Sequence, residues 1–302
     1  MTDVPAGRTV QAMALSPDGQ ALAYVGSEGG TSQLYLHRMD RTDDAPLPGT
    51  AGAAGTAIAF SPDGTWIAFV TGTIVRKVPV AGGEPVTVVQ APATGQGRRT
   101  PPAVLEQNRD VAVLLNAPTG SIDWSSDGTM LFSLDSTGIW SLAPSAVAPV
   151  QVTTTDAARG EYAHAFPYLL PGGRHALVTV RTGMRYDVAP LAAVAVDTGR
   201  LQGLLPDGLR ATFVGGGHLL YASGGRLFAV PVDPTLVRLD GDPVPVVEAL
   251  AHNGPMPLYA ASRSGDLAYV RADPPGPASL VRVDRLGKEQ APPNCLREPR
   301  AR

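Results

Sequence analysis

One four-residue turn constrains this chain more than any other feature. Ser61-Pro62-Asp63-Gly64 is bounded by Ile58-Ala59-Phe60 and by Trp66-Ile67-Ala68-Phe69-Val70. Pro62 presets φ for the first turn position, Asp63 can bond its own backbone, and Gly64 supplies a positive φ that a Cβ would resist. Apolar residues on both sides predict a hairpin of largely buried strands. The unit recurs, as Ser16-Pro17-Asp18-Gly19, as Ser125-Ser126-Asp127-Gly128, and in looser copies closed by Gly173, Gly217 and Gly265. From Gly19 onward the closing glycines, Gly64 included, stand 45, 64, 45, 44 and 48 residues apart. A period in the forties, with about four short strands in each, is the signature of a β-propeller blade.

Each unit repeats one grammar. A short strand precedes the turn, such as Met13-Ala14-Leu15 or Ser121-Ile122-Asp123-Trp124. The most apolar strand follows it, then a third strand, then a weak outer one such as Pro46-Leu47-Pro48 or Val244-Pro245-Val246-Val247. Proline cannot donate to a ladder, so Pro-bearing strands belong at an edge. The expected fold is all-β, a six-bladed β-propeller of four-stranded antiparallel blades over residues 1–290. The blades fall at about 9–50, 56–90, 119–155, 162–207, 210–250 and 256–290. No unit could bury both faces of its own sheet, so the blades form one cooperative ring.

Two regions break the grammar. Residues 91–118 lengthen one interval and read as an insertion between blades, a rim element or a partner-binding loop. The stretch 287–302 is polar, Pro- and Arg-rich and carries no strand pattern; 291–302 is expected to be disordered.

Composition narrows the function classes. Of 302 residues, 17% are charged and the formal net charge is −3, with no basic stripe, so nothing favours nucleic acid. Cys295 is the single cysteine, which excludes an intrachain disulfide. No apolar run is long enough to cross a membrane. Residues 1–10 lack the apolar core of a secretory signal, which implies a cytoplasmic protein if the chain stands alone.

Longer stretches carry a family resemblance. They include Ala14-Leu15-Ser16-Pro17-Asp18-Gly19-Gln20-Ala21-Leu22-Ala23-Tyr24-Val25, Leu47-Pro48-Gly49-Thr50, and Glu161-Tyr162-Ala163-His164-Ala165-Phe166-Pro167-Tyr168. So do Leu227-Phe228-Ala229-Val230-Pro231-Val232-Asp233 and Val281-Arg282-Val283-Asp284-Arg285-Leu286-Gly287. The chain resembles TolB-type, WD-like six-bladed propellers, and most of all the sensor propeller found C-terminal to bacterial serine/threonine protein kinases. The resemblance implies a protein-interaction or sensor module, extracytoplasmic if it belongs to a membrane-anchored kinase. Kinase motifs are absent: there is no phosphate-covering Gly-rich loop and no His-Arg-Asp loop.

No catalytic constellation is legible, and no cofactor or metal is expected. Asp18, Asp63 and Asp127 read as turn residues, because Gly172, Gly216 and Ser264 stand in their place in later copies. No two histidines have ligand spacing. Glu161 and His164 are the weak channel-mouth candidates. The apolar first-strand residues are expected to line and fill the channel. The leading expectation is a non-catalytic propeller that binds a protein or peptide. The alternative is a metal-dependent lactonase- or esterase-like hydrolase with its site in the central channel, for which Glu161, Asp123 and Asn253 are the conceivable ligands. A third reading is a piece of a kinase or peptidase polypeptide.

Overall fold

The computed structural model describes residues 2–3, 8–90, 121–272, 279–283 and 289–290, apart from 42, 54, 56, 73, 134–137 and 183–188. The insertion at 91–118 and the tail at 291–302, Cys295 included, lie outside the described residues. Among those described, the regular secondary structure is strand throughout, apart from one 3-10 turn at Ala157–Arg159.

Five antiparallel sheets follow one another along the chain. The first is Thr9–Leu15, Ala21–Glu28, Thr31–Arg38 and Asp44–Pro46. The second is Ile58–Phe60, Trp66–Thr71, Ile74–Pro79 and Val86–Gln90. The third is Ser121–Trp124, Met130–Ser133, Ile139–Leu142 and Val150–Gln151. The fourth is Glu161–Leu169, His175–Thr182, Leu191–Ala195 and Leu201–Leu205. The fifth is Leu209–Val214, His218–Ser223 and Arg226–Asp233, with Arg238–Leu239 and Val244–Val247 sharing the outer edge. In each the strands pair in sequence order, as the grammar of the repeat predicts.

A further sheet follows the short hairpin His252–Asn253 and Met256–Pro257. It holds Tyr259–Ala261, Leu267–Val270 and Ser279–Val283. Two short strands share its outer edge, Thr2–Asp3 and Glu289–Gln290. Both differ from expectation, since 287–302 shows no strand pattern and Thr2–Asp3 precedes the first repeat. Two-residue edge strands pair through backbone alone, so no apolar alternation announces them.

Apolar residues explain why the sheets stack. Each neighbouring pair shares a buried cluster. Phe132 meets Val70 and Val75 between the second and third sheets. Leu131 meets Val178 and Val194 between the third and fourth. Leu191 meets Leu219 and Tyr221 between the fourth and fifth, and Leu209 meets Tyr259 between the fifth and the last. Met13 and Val25 join Ala260 and Val270, which closes the circuit from the last sheet to the first. Phe69, Leu131, Leu177 and Tyr259 are almost wholly out of solvent. Burial of each side chain of this size contributes about 1.5–3 kcal/mol.

The repeated turns behave as their sequence predicts. Asp18 Oδ1 accepts from Ser16 Oγ at 2.6 Å and from the Gln20 amide at 3.0 Å. Asp63 does the same with Ser61 and Thr65, and Asp127 with Ser125 and Thr129. The Ser61 hydroxyl, aided by Thr65, pulls the Asp63 carboxyl down to about 2. The last sheet reaches the same end with a shifted residue, for Asp266 Oδ2 accepts from both Ser262 and Ser264.

Gly19 shows how tightly the first turn meets the last. Its φ is +70, and a Cβ there would stand 2.4 Å from Asp266 Oδ2. Gly72 has a similar φ of +59 with nothing within 4 Å of the equivalent position. Both Gly→Ala variants carry the backbone strain of about 1 kcal/mol, but only Gly19→Ala also displaces an anchored carboxylate. Gly19→Ala is therefore expected to lower the unfolding free energy by about 1–2 kcal/mol more than Gly72→Ala. Urea denaturation of the two variants measures the difference.

Candidate functional site

The inner strands of all six sheets converge on one cavity of about 120 Å³. Its wall is Leu15, Ile58, Phe60, Ile122, Phe166, Ala211 and Met256 with their neighbours, so the apolar first-strand residues do line the channel as expected. The turns reach the cavity too: Pro17, Ser61, Pro62, Ser262 and Arg263 line it, with Ser61 and Ser262 buried and Arg263 exposed. The turn motifs thus serve two positions at once. They fix the hairpins, and they line the cavity.

Polar groups in the wall bind neighbouring sheets together. The Phe166 amide donates to Ser121 Oγ at 2.8 Å, and the Leu169 amide donates to Asp123 Oδ2 at 2.8 Å. These join the fourth sheet to the third. Tyr168 Oη donates to the Phe213 carbonyl at 2.8 Å, from the fourth sheet to the fifth. Arg210 reaches from the fifth sheet to the Pro257 and Tyr259 carbonyls, and to the Met13 carbonyl of the first sheet at 2.8 Å. Tyr259 Oη returns a bond to the Arg210 carbonyl.

Two of these residues stand in an unusual backbone. Phe166 has φ +53 and Arg210 φ +51, each inside an inner strand whose register slips at that point. A bulge turns a side chain away from the alternation of its strand. Here it brings one ring and one guanidinium into the channel wall. The bulge also explains why the fourth inner strand, expected at Pro167–Leu169, runs from Glu161.

The electrostatics follow from the enclosure. Burial pushes the Asp123 carboxyl up to about 6, against the Leu169 amide and the Arg263 charge, which both favour the anion. Burial pushes the Tyr168 phenol up and the Tyr259 phenol up to about 12. It pushes the Arg210 guanidinium down, and three backbone carbonyls hold its protons.

The sequence-predicted candidates sit elsewhere. His164 is fully buried, with Nδ1 2.8 Å from Thr153 Oγ1 and Nε2 3.1 Å from Glu161 Oε2. Glu161 Oε2 also accepts the Asp156 amide at 2.9 Å. Neither Glu161 nor His164 lines the cavity. Burial lowers the His164 pKa, so the ring is neutral near pH 7 and fastens the 153–161 loop to its strand. Asn253 Nδ2 donates to the Gln11 carbonyl at 3.3 Å. Of the three conceivable metal ligands, only Asp123 lines the cavity. Among the described residues no three His, Cys, Asp or Glu side chains are grouped to hold a metal ion.

Arg210 and Arg263 escaped the sequence reading. A charge flanked by Leu209 and Ala211 in an inner strand was the available signal for Arg210. Arg263 replaces Pro at the second turn position, and no local pattern marks it.

No family model matches the sequence, and no curated protein does. Solved structures do. TolB from Acinetobacter baumannii is 17% identical with a TM-score of 0.53, over 75% of this chain and 52% of that one. The fold is a β-propeller. The chain spans about half of that TolB. A nidogen/laminin complex matches at 13% identity and TM-score 0.57, over 94% of this chain and 92% of that one. Oligogalacturonate lyase in complex with manganese matches at 13% and 0.56, over 96% and 82%. At these identities the likeness shows the propeller fold alone, shared by proteins of unrelated activity.

Asp123 makes the propeller's stability depend on pH in a definite direction. Its folded-state value, about 6, lies above the ordinary carboxyl value of about 4. Between these values the folded protein holds the proton more tightly than the unfolded chain. Its contribution is complete below about pH 4 and is lost as pH rises through 6. Asp123→Asn keeps an acceptor for the Leu169 amide and has no proton to lose. The variant is expected to gain about 1–3 kcal/mol on wild type between pH 4 and pH 8, allowing for solvent on the open side. Paired urea titrations at the two pH values read the change.

Proposed function

We propose that this chain is a six-bladed, non-catalytic binding propeller that presents the turn-bearing rim of its channel to a protein or peptide. The carrying observation is how the channel's polar groups are engaged. Ser121, Tyr168, Arg210 and Tyr259 are held in bonds between sheets. Such groups stiffen a scaffold and leave the rim, with Pro17, Pro62 and the exposed Arg263, as the surface open to a partner. Loops on a rigid scaffold are where propellers place recognition.

The sheet built on Tyr259–Ala261 is, in this reading, the sixth blade. It shares cores with both the fifth sheet and the first. A kinship with the sensor propeller of bacterial serine/threonine kinases is supported by the Leu47-Pro48-Gly49-Thr50 segment. There Thr50 Oγ1 donates to the Leu47 carbonyl at 2.6 Å and accepts the Leu34 amide at 3.0 Å, a latch on the third strand. Of Asp123, Glu161 and Asn253, the ligands conceivable for the hydrolase reading, only Asp123 lines the cavity, which favours the binding reading.

Photo-cross-linking tests the reading. A photoreactive residue replacing Pro62 at the rim is expected to capture a discrete protein partner. The same residue replacing Val244, on an outer strand, is expected to capture none. Equal labelling at both sites, or metal-dependent ester or lactone turnover by the purified chain, would overturn the proposal.

A further inference from the structure

Two opposite charges face the channel cavity without joining. Asp123 lies on the inner strand of the third sheet. Arg263 lies on the turn after Tyr259–Ala261, three sheets away in either direction round the ring. Its charge is felt at Asp123, where it favours the carboxylate. Yet among the described residues the two make no direct ion pair with each other. One Asp123 oxygen accepts the Leu169 amide, and Arg263 stands exposed at the mouth. Arg210, the third charge in the wall, has its guanidinium on three backbone carbonyls, so it adds positive field to the floor but no free fork.

The space between fits a small molecule. At a water's liquid share of about 30 Å³, a volume of about 120 Å³ holds about four waters. That is the bulk of a small organic molecule, on the order of a short-chain amino acid. The remaining wall offers Phe60, Pro62, Trp124 and Tyr168, an apolar and aromatic surface. Small-ligand sites combine such a wall with a few convergent polar groups that fix orientation.

We propose that the channel cavity binds a zwitterion the size of a free amino acid, its ammonium held at Asp123 and its carboxylate at Arg263. An ammonium gives the carboxylate the partner that burial otherwise denies it, and a carboxylate suits the guanidinium fork. A ligand carrying one charge alone would leave the other wall group unanswered. This goes beyond the proposed docking of a protein on the rim and does not depend on it.

Calorimetry on the full chain tests it, with free L-amino acids as probes. At least one with an apolar or aromatic side chain is expected to bind. Its N-acetyl and its amide derivatives, which remove one charge each, should bind at least about tenfold more weakly. Arg263→Gln changes an exposed side chain, should leave the thermal midpoint near that of wild type, and should weaken binding about tenfold or more. Asp123→Asn should weaken it as well. Dipeptides that bind more tightly than single amino acids would support the zwitterion and assign it to a short peptide. No heat with any amino acid or dipeptide at millimolar concentration would overturn the proposal. So would undiminished binding of the blocked derivatives or of Arg263→Gln. A rim cross-link to a protein alongside silent calorimetry would sink this inference alone and leave the binding-scaffold reading standing.

Discussion

Every sheet in this chain has two faces to cover and only neighbouring sheets to cover them. That single constraint organises the rest. A lone four-stranded sheet of this composition would expose residues such as Leu131, Val178 and Leu219, which the assembled protein hides completely. The side chains interdigitating between sheets supply about 1.5–3 kcal/mol apiece. The hydrogen bonds between inner strands supply about 1 kcal/mol each, net of the water they replace. Magnitude therefore assigns the roles. Apolar burial holds the ring together. The polar bonds from Ser121, Asp123, Tyr168 and Arg210 decide how the sheets are turned relative to one another, because an unmatched donor in the wall costs as much as a lost side-chain contact.

The same logic explains what could be read from the residues alone. The turn at Ser61–Gly64 is local chemistry, and local chemistry is legible: its hydroxyl, carboxylate and glycine take up the bonds their types predict. The order of strands was legible because period and apolarity repeat together. The long inner strand from Glu161 was not, since Phe166 breaks the alternation with a left-handed residue that nothing in its side chain foretells. The paired edges Thr2–Asp3 and Glu289–Gln290 were invisible for the opposite reason. Thr2–Asp3 pairs backbone to backbone with Ser279–Val283 across most of the chain's length, and Glu289–Gln290 pairs with that same strand from close by, each with only two residues to show for it.

The channel lay further out of reach. Glu161 and His164 drew attention as an acid beside a base, yet they close on each other and on Thr153. Thr153 Oγ1 also accepts the Ile139 amide at 2.9 Å, the same latch that Thr50 makes on Leu34 in the first sheet. The pair therefore braces a repeated structural device. The residues that do shape the cavity come from six separate inner strands, one repeat apart. No window of sequence contains two of them from different blades, so their convergence is a property of the ring and not of any motif.

The tryptophans give this ring a consequence of another kind. The chain has three of them, and all sit in one wedge, on strands of the second and third sheets. Lys77 Nζ lies 4.6 Å from the Trp66 ring centre and 5.8 Å from that of Trp124, while Trp124 itself walls the cavity. Tryptophan emission thus originates in this one wedge, and one of its three sources borders the channel. An ordinary fluorimeter, with no label attached, therefore reports through Trp124 on an occupant of the channel.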